Sequence, residues 1–215
     1  MATVVDICNL ALSHLGDKAT VASIEPPEGS PQASHCSRFY PVARDFMLEA
    51  HDWGFNTARA QLADQSVATP PPSPWQFAYA LPANCLRLLS VLPPDADSDD
   101  RRQAYVRETA GGADLIYCNQ SDAVARYTWR VLDPTRFSPL FVDAVSRLLA
   151  SYLAGPVIKG DEGARMADAQ FKAALAILER AKLSDSRQVR SDIWRDDLRG
   201  RPAWLRDRLM GVRHD

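Results

Sequence analysis

The chain has 215 residues, of which 46% are hydrophobic and 24% charged, and its formal net charge is −2. This is the size and make-up of one ordinary globular domain with room for a sizeable core. A charge so close to zero gives no reason to expect nucleic acid as the main ligand, and no window is expected to reach the roughly 20 apolar residues of a membrane span.

The start, Met1-Ala2-Thr3-Val4-Val5-Asp6, has no basic region followed by an apolar run, so no signal peptide is expected. Cys8, Cys36, Cys85 and Cys118 contain no close pair. That suits neither a zinc hairpin nor the disulfide framework of a small secreted domain. They read as buried hydrophobes of a protein made in a reducing cytoplasm.

The spacing of Ile7, Leu10, Ala11 and Leu15 predicts a helix over 4–15, with Thr3 and Asp6 as a capping box and Gly16 closing its end. An extended loop, Ile24 to Gly29, leads to Ser30-Pro31, a cap and first-turn proline that predict a second helix over 31–51. Its expected face is Cys36, Phe39, Ala43, Phe46, Met47 and Ala50, with a kink at Pro41. Trp53 and Phe55 bracket Gly54 as a packed aromatic corner.

Prolines crowd the stretch from Leu62 to Pro74, which reads as a semi-rigid connector. A β insertion is predicted over 75–131. It comprises strands from Trp75 to Leu81 and from Leu86 to Leu92, then a hairpin turning at Gly111-Gly112. Its last strand, Ala123 to Val131, should bury Ala125, Tyr127, Trp129 and Val131. Helices are then expected over 139–154, bounded by Gly155-Pro156, and over 161–183, where small residues such as Ala169 and Ala173 permit close helix approach. The predicted fold is mainly α with a β insertion: an antiparallel helical bundle over 1–183, a small antiparallel β region between its second and third long helices, and an extended C-terminal arm over 184–215.

That arm holds eight arginines, six aspartates and no lysine, together with Trp194 and Trp204. Its hydrophobic periodicity is weak, so it reads as a segment that orders on a partner. Arginine with tryptophan is the composition of protein–protein contact centres, which singles out Trp194, Arg195, Trp204 and Arg206. The interspersed acids argue against a DNA-binding arm, since such arms carry unmixed basic runs.

Patterns for chemistry are sparse. His14, His35, His51 and His214 are scattered, and no G-x-S-x-G elbow or metal-binding HExxH is present. Asp97, Asp99 and Asp100 lack the glycine and terminal glutamate of an EF-hand. Glu49 and Asp52 lie close in sequence and flank the aromatic corner, a carboxylate pair to consider for wall-degrading glycosidase chemistry, but they read more simply as helix-end polar residues. Arg44 and Asp45 read as structural or intersubunit ion-pair partners. No catalytic residue, metal or cofactor is expected.

Several pieces together resemble the tail tubular protein A, or head–tail adaptor, family of short-tailed bacteriophages. The first is the helix Asp6-Ile7-Cys8-Asn9-Leu10-Ala11-Leu12. A second is the Tyr40…Arg44-Asp45 helix leading to Trp53-Gly54-Phe55, although such sequences often carry asparagine where Gly54 stands. Others are Trp75, then Tyr79-Ala80-Leu81-Pro82 with Cys85-Leu86-Arg87, then a phenylalanine-led helix from Phe137 to Ala154 and a final alanine-rich helix. The similarity covers nearly the whole chain in order, apart from the arginine-rich end.

The resemblance implies a non-enzymatic virion protein: a dodecameric ring bound beneath the portal, joined to a downstream nozzle protein and passing genomic DNA. It further implies that the helices form the ring wall, that the β insertion reaches toward neighbours, and that the C-terminal arm inserts between portal subunits. A prophage-encoded DNA-binding or regulatory module using the arginine-rich tail is the main alternative reading, and a cell-wall hydrolase the third.

Overall fold

The structure is a computed structural model and describes residues 2–96 and 99–199, with only the helical backbone described over 188–199. The first helix, α1 (Val4–His14), opens with the expected capping box. The Asp6 amide donates to Thr3 Oγ1 at 3.1 Å, and the Thr3 amide donates to Asp6 Oδ2 at 2.9 Å. The same bond from the Thr3 backbone, more than any other influence, holds the Asp6 carboxyl below the usual carboxylate range. Gly16 takes the left-handed conformation, φ +74°, just past the helix. The buried stripe is Ile7, Cys8, Ala11, Leu12 and Leu15, whereas Leu10, expected inside, is 37% exposed.

Helix α2 (Pro31–Glu49) starts where predicted, with Ser30 Oγ accepting from the Ala33 amide at 3.1 Å. It continues through Pro41, whose ring removes one helical donor without ending the helix. Cys36, Ala43 and Met47 are buried as expected and are joined by Tyr40, Arg44 and Leu48; Phe46 instead faces outward.

Six strands follow in two three-stranded antiparallel sheets, ordered β1-β6-β3 and β2-β5-β4. The β region therefore begins at 57, not 75. Strand β1 (Thr57–Gln61) alternates only small Ala58 and Ala60 with polar residues, too weak an apolar pattern to announce a strand. It exists because it pairs along β6 (Val124–Trp129), in register from Thr57↔Thr128 to Gln61↔Val124. Strand β2 spans Phe77–Ala80 and β3 spans Cys85–Leu92. The predicted hairpin is β4 (Tyr105–Ala110) and β5 (Ala113–Cys118). Its two-residue loop requires positive φ at both positions, supplied by Gly111 (+61°) and Gly112 (+80°).

The two sheets face each other across a small core of Leu62, Tyr79, Leu88, Val91, Ile116, Cys118 and Ala125. The far side of β5, Leu115 and Tyr117, packs with Ala78 against Trp75. The proline-rich connector is tied beside β2, since the Gln65 amide donates to the Ala78 carbonyl at 2.7 Å, while Val67 stands wholly in solvent. Ala125 on β6 and Val131 just beyond it are fully buried as predicted; Tyr127 and Trp129 are only half-buried, and Thr128 on the opposite side is buried.

Helix α3 (Pro139–Ile158) is capped by Ser138 and runs past the predicted stop at Gly155-Pro156. The chain turns only at Lys159 and Gly160, both with positive φ. Helix α4 (Gly160–Arg199) then extends 40 residues, so 184–199 continues the helix and is not a separate arm. After Gly163 no glycine or proline occurs before Gly200, and weak apolar periodicity does not itself end a helix. Close approach between α3 and α4 depends on Gly163, where a Cβ would meet the Ala154 carbonyl oxygen at 3.0 Å.

Helix α3 lies at the centre of the main core, packed by α1, α2 and α4. By length and composition α3 is long and apolar enough to cross a membrane, contrary to the expectation of no such segment. Its apolar residues here, Phe141, Val145, Leu148, Leu149 and Leu153 among them, are fully buried against the other helices. Among the described residues, four α-helices with two small antiparallel sheets make a mixed α/β fold, where a mainly α one was predicted.

Candidate functional site at the helix–sheet junction

Tyr40, Arg44, Asp45, Trp53 and Phe55, five of the residues singled out by the sequence, gather where α2 leaves the helical core and the chain enters β1. An α-helix ends with carbonyls that lack intrahelical partners. Trp53 and Asn56 supply them: the Trp53 indole N–H donates to the Met47 carbonyl at 2.9 Å, and Asn56 Nδ2 donates to the Leu48 carbonyl at 3.4 Å. Both side chains are essentially sealed from water. The Trp53 ring stacks on Phe55 (5.9 Å between centroids) and meets Phe141 edge-on at 5.1 Å. Phe137 closes the group, 5.6 Å from Phe55 and 4.7 Å from Phe141. The corner thus welds α2 to the start of α3.

A second set of contacts joins α2 to the sheets. Arg44 lies over the Tyr40 ring at 5.8 Å, one helical turn away, and its Nε donates to Asp45 Oδ1 at 2.8 Å. The other Asp45 oxygen receives Arg130 Nε, just beyond β6, at 3.0 Å. Asp52 pairs with Arg87 of β3. Burial pushes the Tyr40 phenol up to about 12, and its hydroxyl has no hydrogen-bond partner. Arg44 and Asp45 are therefore ion-paired within the chain. Asp52, the candidate acid–base residue, is held by Arg87, while Glu49 points to solvent.

The third contact could not be read from the sequence. Asp185 on α4, 131 residues along the chain from the corner, accepts the Gly54 amide N–H through both carboxylate oxygens, at 3.3 and 3.1 Å. His51 Nε2 lies 3.4 Å from Asp185 Oδ2, and the His51 ring packs edge-on against Trp53. Gly54, Phe55, Phe137, Ser138, Ser184 and Asp185 are among the residues lining a cleft of about 200 Å³. Ligand sites for drug-sized molecules run from about 300 Å³ upward, so this cleft does not enclose one.

Trp75 and Tyr79 sit apart from the junction. Trp75 covers the outer face of β5, and the Tyr79 hydroxyl donates to the Gln120 carbonyl at 2.8 Å inside the sheet-to-sheet core. Asp99 is engaged by Arg59 (3.4 Å) and by Arg126, on neighbouring strands β1 and β6; Asp97 lies outside the described residues. Among the described residues, no group of three or more His, Cys, Asp or Glu side chains is placed to hold a metal ion. Trp194 and Arg195 fall on the backbone of α4, whereas Trp204 and Arg206 lie outside the described residues.

Asn56, Arg130 and Asp185 are not singled out by the sequence, and Arg87 enters there only as part of the Cys85-Leu86-Arg87 motif. Only Asn56, a polar residue directly after an aromatic corner, carries a local signal. No protein-family model matches this sequence, and no curated protein matches it significantly.

Proposed function

We propose that the chain is a structural virion protein, a head-to-tail adaptor of a short-tailed bacteriophage. Twelve copies form a ring beneath the portal, connect the capsid to the downstream nozzle protein and line the channel through which genomic DNA leaves. In this reading α1 to α4 act as an antiparallel bundle that builds the ring wall, and the β region reaches toward neighbours. The C-terminal part of the chain, the end of α4 included, docks on the portal, with Trp194, Arg195, Trp204 and Arg206 as its contact residues. No enzymatic step belongs to the role.

The observation that carries the reading is the whole-chain order of family-like motifs, from Asp6-Ile7-Cys8 through Trp53-Gly54-Phe55 to the final alanine-rich helix. Its physical support is that Tyr40, Arg44, Asp45, Trp53 and Phe55 lock a scaffold together and do not surround a reactive group. Large apolar side chains are also exposed on two different helices, Val42 and Phe46 on α2 and Phe171 and Leu175 on α4. A ring needs two unlike faces on each subunit, because only head-to-tail contacts close on themselves.

The test is the mass of the purified protein in solution, alone and mixed with a portal complex from the same genome. A twelve-subunit ring, or a monomer that assembles stoichiometrically on the portal, is the expected result, and Trp204→Ala should weaken docking while leaving the fold intact. A protein that stays small and ignores the portal would end the adaptor reading. DNA affinity that falls steeply with salt would then favour the nucleic-acid module.

A further inference from the structure

Two helices present apolar stripes to solvent. On α2, Val42 and Phe46 stand one turn apart and are 56% and 42% exposed, while Ala43 and Met47 beside them are fully buried. On α4, Phe171 and Leu175 repeat the pattern at 37% and 36%, with Ala174 and Leu178 buried behind them. Each helix packs on α3 and so turns its stripe away from the core. Single exposed apolar side chains are ordinary, but two large ones adjacent on one helical ridge make a patch.

Charges bracket both stripes in the same order. Arg38 lies one turn before Val42, and Glu49 one turn past Phe46; both are exposed. At about 100° and 1.5 Å per residue, these four side chains fall within roughly 80° of arc along about 16 Å of helix. On α4, exposed Arg165 precedes Phe171, and exposed Glu179 follows Leu175 by one turn. Among the described residues, Arg38, Glu49 and Arg165 have no ion-pair partner within the chain. Glu179 has only Lys182, at 2.9 Å, and Asp168 is paired with Lys172 at 2.6 Å.

We infer that the α2 stripe of one copy docks antiparallel on the α4 stripe of the next. Antiparallel packing sets Val42 against Leu175 and Phe46 against Phe171, with Arg38 facing Glu179. Glu49 then meets Arg165 and Lys172 on either side of Asp168, two positive charges against one negative. Parallel packing would instead set Arg38 beside Arg165. An antiparallel pair of α2 helices would also match its own charges, but it would leave Phe171 and Leu175 of both copies in water. The α2–α4 contact covers both stripes at once. It rests on the ring reading for closure, since head-to-tail contacts end only when the last copy meets the first.

The full-length protein and its variants are followed by analytical ultracentrifugation, alone and with the portal complex. Phe46→Asp and Leu175→Asp, each at a solvent-facing position, should keep the natural far-UV circular dichroism. Each should weaken self-association about thirtyfold or more. Mixed in equal amounts they should form a dimer and stop there, because the intact α4 stripe of the first fits the intact α2 stripe of the second. Arg38→Glu should weaken association about three- to tenfold, and adding Glu179→Arg to the same chain should restore it.

Oligomers that form equally well from Phe46→Asp would overturn this contact and leave the ring reading standing. Association lost in Phe46→Asp but kept in Leu175→Asp would overturn it in favour of a two-fold α2 pairing. Self-association through both stripes with no response to the portal would keep the contact and end the adaptor reading. A chain that stays a monomer both alone and with the portal would end both.

Discussion

In the helical part, α3 presents Phe141, Val145, Leu148, Leu149 and Leu153 to three other helices, and one continuous apolar cluster results. In the β part, the chain divides its apolar residues between a small cluster between the sheets and a smaller one outside β5. The first arrangement draws its stability from the hydrophobic effect over a large buried volume. The second depends more on strand pairing and on tethers to the helices, among them Asp45 to Arg130 and Asp52 to Arg87. The difference teaches that the aromatic corner at 53–55 is where the robust part of the molecule holds the slighter one in place.

Removing the corner should have the largest effect. Trp53→Ala deletes a side chain that is 1% exposed, leaves a cavity beside Phe55 and Phe141, and strips the Met47 carbonyl of its donor. Chemical denaturation should show a loss of about 3–5 kcal/mol with the helical and β signals falling together. Separate transitions for the two signals would mean that the corner does not couple them.

Ile116→Ala probes the other side of the comparison, because Ile116 is fully buried in the sheet-to-sheet core and touches no helix cluster. The expected cost is about 2–5 kcal/mol, nearer the lower end because a small core collapses around a cavity more easily. Hydrogen exchange should then speed up in β2 to β5 and much less in α3. Uniform acceleration across both regions would erase the distinction drawn between them.

The parts of this architecture legible in the sequence are those whose cause is local. Thr3 with Asp6, Ser30-Pro31 and Gly111-Gly112 each act through atoms within a few residues, so cap and turn chemistry located them. The Trp53 corner was legible because two large aromatics around a glycine have few uses other than packing. The missed features have distant causes. Strand β1 is a strand because β6 lies beside it, and Arg130 matters because Asp45 does. The end of α4 was misplaced for a different reason: apolar periodicity reports which face is buried, and a helix that runs beyond its core loses that signal while keeping its backbone bonds. Asp185 sits at that crossover, still within reach of the corner.

Asp185→Asn should therefore cost less than either core change but act more selectively. The substitution keeps one acceptor for the Gly54 amide and removes the charge that faces His51. Hydrogen bonds to charged groups contribute about 1.5–3 kcal/mol, and a partial loss of that order is expected. Limited proteolysis should cut α4 after Lys182 faster than in the natural sequence, while α3 stays protected. If the cleavage rate is unchanged, Asp185 is not what holds α4 to the corner.

The smallest effect belongs to His14 in α1, which lies inside the helical part and is only partly buried. Its Nε2 is 3.3 Å from Ser146 Oγ and 3.7 Å from Asp143 Oδ1. Burial, followed by the positive charge of Arg147, holds the imidazole below its ordinary value, and Asp143 pulls the other way. The depressing influences win because Asp143 also serves Arg147 at 3.1 Å, so its carboxylate is already shared. The folded state thus binds the His14 proton more weakly than the unfolded state does. Stability from this site is fully present above about pH 6.5, the ordinary histidine value, and is lost as the pH falls through that value toward the lower folded one. Between pH of about 7.5 and 5.5, Tm should drift downward, and the drift should be shallower in His14→Gln. An NMR titration of the His14 ring with a midpoint at or above the ordinary value would show that Asp143 prevails, and the slope would then have the opposite sign.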